Sequence, residues 1–128
     1  MDLDALVVKP QAVAREKLAE ALHGLVTIVD GTGEIIPDAG ITTLDGSTKV
    51  LVFLLALRAG VILGFRKSAS GNAEEISVAM GSEPQRTREC LSRLKTKFLQ
   101  RVDDGYEIPL PRVAIVCDEI LKKRGASQ

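Results

Sequence analysis

The stretch AEEISVAMGSEPQRTRECLSRLKTKFLQRVDDGYEIP, residues 73–109, decides the fold. Asn72, just before it, suits a helix N-cap, and Glu74 and Glu75 fall in the first turn, where the helix dipole favours acids. Ile76, Ala79 and Met80 give this short helix one apolar side, and Gly81 breaks it. Ser82 then predicts a second helix, with Gln85 completing a capping box and Pro84 tolerated in the first turn. That helix is expected to run to about Lys97. Thr87, Cys90, Leu91, Leu94 and Phe98 recur at the spacing of one buried helical face, and the positions between them are mostly basic or polar. Residues 99–102 and 106–108 flank Asp103-Asp104-Gly105 and read as a hairpin with Asp-Gly in its turn.

Upstream, Ser47 is the expected N-cap of a helix from Thr48 to about Ala59, apolar on nearly all faces and so central to the core. Gly60 interrupts it, and residues 61–65 read as a short strand or a final turn. Closer to the N-terminus, Lys9-Pro10 marks an extended junction. Residues 11–22 form a helix with Ala14, Leu18, Ala21 and Leu22 on one stripe, ended by Gly24. The β-branched run 25–29, the turn Asp30-Gly31-Thr32-Gly33 and residues 34–36 make a first hairpin, and residues 37–44 a loop. Downstream, Pro111 opens a last helix from Arg112 to about Lys123.

The 128 residues suit one compact domain, or one with a small extension, and 45% hydrophobic with 27% charged residues is an ordinary globular composition. Formal net charge is zero, but the charge is segregated. Residues 1–48 set Lys9, Arg15 and Lys17 against eight acids, a balance of −5. Residues 85–101 set Arg86, Arg88, Arg93, Lys95, Lys97 and Arg101 against Glu89 alone, a balance of +5. Such asymmetry points to an anionic partner at one face, or to a solvated helix face. Cys90 and Cys117 lie among apolar neighbours in helices, without metal-ligand spacing, and read as buried thiols in a reducing compartment. Asp2 and Asp4 give the N-terminus no basic signal region. The apolar run 50–65 carries Arg58 and is shorter than the roughly 20 residues a membrane span needs. The expectation is a cytoplasmic protein with no membrane partner.

From residue 47 onward the order is helix, loop, short helix, tight turn, basic helix, hairpin. This order resembles the winged helix-turn-helix superfamily over residues 47–110. Glu74-Glu75-Ile76 through Met80-Gly81 looks like its second helix and turn, Ser82 to Lys97 like its recognition helix, and the hairpin at 99–108 like its wing. The fold class expected is therefore α+β and helix-rich. Residues 1–46 form a helix and β-hairpin extension, residues 47–110 a winged helix-turn-helix, and residues 111–128 a C-terminal helix. The resemblance implies a small transcriptional regulator that reads the major groove of duplex DNA, or a protein-interaction module without DNA binding. It sets Glu83, Gln85, Arg86, Glu89 and Arg93 on the outer face of the basic helix. Gln85 can pair with adenine, Arg86 with guanine, and Glu89 can accept from cytosine. Arg88, Lys95 and Lys97 suit phosphates, and the amides around Ser82 can hold another. The carboxylates of Asp103, Asp104 and Glu107 in the wing oppose phosphate. The apolar run Val113-Ala114-Ile115-Val116-Cys117, with Ile120 and Leu121, is wider than one intramolecular stripe needs, and predicts a homodimer through residues 112–124.

Nothing in the sequence calls for a cofactor, metal or catalytic set. Asp30-Gly31-Thr32-Gly33 lacks the Lys-Ser/Thr and the following helix of a phosphate loop. His23, the only histidine, stands beside a helix-ending glycine and reads as a C-terminal cap. Glu74-Glu75 and Asp118-Glu119 are sequence neighbours on helices, pointing about 100° apart, and do not converge on one ligand.

Overall fold

Helix α2, Gly46–Ile62, is the centre of the molecule. Its residues 50–57 are buried without interruption, as an apolar sequence with no polar stripe requires. In the computed structural model, which describes Leu3, residues 10–103 and residues 105–126, the other elements wrap around it. The remaining helices are α1 (Pro10–Leu22), α3 (Ala73–Met80), α4 (Pro84–Leu94) and α5 (Val113–Ala126). Two antiparallel hairpins, β1–β2 (Val26–Ile28, Ile35–Pro37) and β3–β4 (Gln100–Val102, Gly105–Glu107), complete a helix-rich α+β architecture. One continuous apolar core joins Leu18 of α1, Leu54 of α2, Ile76 of α3, Leu91 of α4 and Ile120 of α5.

The N-cap of α2 is Asp45, not Ser47: its carboxylate accepts the Thr48 amide at 2.8 Å. That hydrogen bond holds the Asp45 carboxyl below its usual range. A carboxyl depressed by folding stabilises the fold above its unfolded value of about 3.9 and loses that contribution as pH falls through the lower folded value. Asp45→Ala is therefore expected to cost about 1 kcal/mol at pH 7. In urea titrations the gap to wild type should close below about pH 3; a gap unchanged at acid pH would show that the cap charge is not its source.

Gly60 does not interrupt α2, which runs on to Ile62 before turning at Leu63. The Arg66 side chain folds over Gly60, where a Cβ would meet Arg66 Cδ at 2.8 Å. The residues read as strand or final turn, 61–65, finish the helix and turn off it.

Helix α5 corrects the dimer expectation. Val113, Val116, Cys117 and Ile120 are fully buried against α1 and α2. Of the large apolar residues in the run, Ile115 alone is exposed. The stripe is wide because two helices cover it, so the surface expected for a second copy at 112–124 is occupied within the chain. Arg124 reaches across to the last carbonyls of α1, 3.1 Å from Ala21 O, which satisfies part of that helix end. No helix among the described residues is long and apolar enough to cross a membrane.

Candidate nucleic-acid interface

Helices α3 and α4 meet through a tight turn and a buried hydroxyl cluster. Gly81 takes the left-handed conformation, φ +68°, and its amide bonds Ser77 O. This is the backbone that a glycine after a helix supplies cheaply. The Ser77 hydroxyl lies 2.7 Å from Ala73 O and 2.8 Å from Thr87 Oγ1, while Thr87 donates to Glu83 O at 3.2 Å. Thr87 and Ser77 are both buried, so these bonds fix the angle between the helices without leaving a polar atom unsatisfied. Asn72 caps α3 as expected, accepting the Glu75 amide at 2.9 Å.

Ser82 takes a different role from the one expected. Its amide donates to Ser77 O at 3.1 Å and its hydroxyl lies 3.3 Å from Thr87 Oγ1. Ser82 thus braces the turn and has no amide left for a phosphate. The N-cap of α4 is Glu83, which makes no side-chain capping bond, and Pro84 occupies the first turn, so the capping box with Gln85 does not form. The first-turn amides of Gln85 and Arg86 lack an intrahelical acceptor and take over as the free donors at this helix end.

The buried face of α4 is Thr87, Cys90 and Leu91, with Leu94 half-buried. Stepping about 100° per residue sets Gln85, Glu89 and Ser92 along the middle of the opposite face. Arg86 and Arg93 border them on one side and Arg88 on the other. All six are exposed. Ser92 escaped the sequence reading, although its spacing of three from Glu89 and seven from Gln85 marks the same ridge. The helix ends at Leu94 rather than Lys97. Residues 95–98 turn, with the Phe98 amide on Leu94 O at 3.0 Å, and Phe98 packs against the core and leads into buried Leu99. Lys95 and Lys97 stay exposed on this turn.

Among the described residues Arg86, Lys95, Lys97 and Arg101 make no ion pair, and Arg88 reaches Glu74 at 3.7 Å in an exposed pairing. Such pairs contribute about 0–1 kcal/mol, so a phosphate competes readily for Arg88. The N-terminal acids are not drawn onto this surface: the ion pair from α1 joins Lys17 to Asp118 of α5 at 2.7 Å.

The hairpin beyond α4 is anchored rather than free. Val102 pairs with Gly105, so Gly105 belongs to the strand and not to the turn, and Asp103 carries the positive φ of 52°. Asp104, at the tip, lies outside the described residues. Tyr106 and Gly71 exchange both backbone hydrogen bonds at 2.9 Å, adding a third chain segment to the sheet from the loop before α3. The approach is close enough that a Cβ on Gly105 would stand 2.8 Å from Gly71 O. Glu107 does not project as a repelling acid. Arg58 of α2 pairs with it at 3.2 Å and donates to Ile108 O at 3.1 Å, tying the hairpin to the core.

Among the described residues no three His, Cys, Asp or Glu side chains come together in a metal-binding group. Cys117 is fully buried, and burial, with Asp118 beside it, pushes its thiol up to about 12, which leaves no thiolate for nucleophilic chemistry near neutral pH. The chain matches no protein-family model, no curated protein and no solved structure.

Proposed function

We propose that the protein binds duplex DNA, with α4 in the major groove and the β3–β4 hairpin beside it as a wing. The outward face of α4 carries this reading: polar Gln85, Glu89 and Ser92 along the ridge, cationic Arg86, Arg93 and Arg88 at its borders, and Lys95 and Lys97 at its end, all exposed. A helix fits the major groove, where a central polar ridge meets base edges and bordering cations meet phosphates. The order α2, Gly71 bridge, α3, α4, hairpin supports a winged helix-turn-helix, but one fold serves many functions, so the conclusion rests on the α4 surface. Gln85 suits adenine, Arg86 guanine, and Glu89 the cytosine amino group. Arg88, Arg93, Lys95 and Lys97 supply salt-dependent affinity through phosphates.

Fluorescence anisotropy with a labelled random-sequence duplex tests this, and the wing acid gives an internal check. Asp103 is exposed beside the backbone path the wing would follow. Asp103→Asn keeps a side chain that tolerates positive φ and removes one repelling charge. Affinity should tighten severalfold at low salt, with the gain shrinking as salt rises. Wild-type and variant curves that superimpose would remove the wing from the interface.

A further inference from the structure

Helix α1, the C-terminal half of α2 and the inner face of β1 leave a groove of about 460 Å³ between them. The volume falls in the range of roughly 300–1,000 Å³ occupied by small-ligand sites. Its walls are Leu18, Leu22, Val26, Ile28, Ala59 and Ile62, and no acidic side chain lines it. Two polar side chains reach it, Arg15 and His23. Arg15, Ala19 and Leu22 follow successive turns of one face of α1, with His23 just past its end, so the groove runs about 12 Å along the helix at 1.5 Å per residue. Arg15 is exposed and makes no ion pair among the described residues.

An elongated apolar trough with one free guanidinium at its end complements an unbranched chain that carries one carboxylate. We infer that this groove binds a free medium-chain fatty acid. The carboxylate sits on Arg15, which can take it bidentately, and the acyl chain lies along Leu18, Leu22, Val26 and Ile28 toward Ile62. A second protein surface fits less well. Leu63 is the one large apolar lining residue that is exposed, and a protein partner needs about 800 Å² of surface per side. The inference does not depend on the DNA reading, and its test uses no DNA.

Isothermal titration of the full chain with octanoate, decanoate, dodecanoate and decanol, all below their micellar concentrations, reads the site. One decanoate per chain is expected. Affinity should rise about fourfold per added methylene and level off once the groove is full. Arg15→Gln should weaken decanoate at least tenfold and leave decanol unchanged. Ala19→Trp, at an exposed lining position, should abolish binding of both while circular dichroism stays unchanged. The inference is overturned if folded wild-type protein gives no saturable heat, if Arg15→Gln binds decanoate like wild type, or if binding survives Ala19→Trp. Sedimentation that shows a dimer dissociated by Ala19→Trp would also overturn it, by making the groove a contact between copies.

Discussion

Replacing Arg86 and Arg93 together with alanine should lower affinity for random-sequence duplex DNA by roughly 10- to 100-fold. A specific Arg contact contributes about 1–3 kcal/mol, and each 1.4 kcal/mol is tenfold. The two residues are seven positions apart on α4, two turns along the same border of the Gln85–Glu89–Ser92 ridge, and one strand backbone can meet both. Both are exposed and neither is in an ion pair among the described residues, so the fold loses little with them. The slope of log affinity against log salt should become shallower by about two, close to one unit per lost phosphate contact. Arg15→Ala, on α1 and outside this surface, should change neither quantity. A double variant that binds like wild type would leave α4 without a role in DNA binding.

Leu54→Ala should produce the largest loss of stability of any single truncation named here. Leu54 is fully buried in the middle of α2, which packs against α1, α3, α4, α5 and both hairpins. Such a cavity costs about 3–5 kcal/mol. For a domain of this size that is on the order of 10–20 °C in melting temperature. Because one core joins all five helices, the whole transition should shift as a unit, with circular dichroism and calorimetry coincident. A scan in which only part of the signal moves would show that residues 1–46 fold apart from the rest.

Local signals were the legible ones. The Asn72 cap, the Gly81 break, the buried face of α4 and both hairpins could be placed because each depends on residues a few positions apart. Two caps were not, for a physical reason: Asp45-Gly46-Ser47 and Ser82-Glu83-Pro84 each offer competing cap residues, and the choice is made by tertiary contacts. Ser82 is drawn inward by buried Thr87, which leaves Glu83 at the cap. Gly60 costs a helix about 1 kcal/mol, and α2 continues through it because neighbours bury the surrounding turns.

Long-range pairings left almost no trace in the sequence. The Gly71–Tyr106 bridge joins segments far apart in the chain and has no periodicity. Arg58 looked like a flaw in an apolar helix until Glu107 was placed beside it. The width of the α5 stripe was visible, but not what covers it. A short stripe on α1, Ala14, Leu18, Ala21 and Leu22, met that need inside the chain. At the candidate site the cations were legible by composition. The split into a polar ridge with basic borders needed the helix's orientation on the core.

The central claim is that the α4 face is a DNA surface, and the measurement that tests it most directly is wild-type binding to random-sequence duplex DNA across a salt series. The account predicts micromolar binding at low salt, with log affinity falling linearly against log salt at a slope of about −3 to −5, for several phosphates met by Arg88, Arg93, Lys95 and Lys97 and the amides of α4. Absence of binding at low salt, or binding that salt does not weaken, would contradict it.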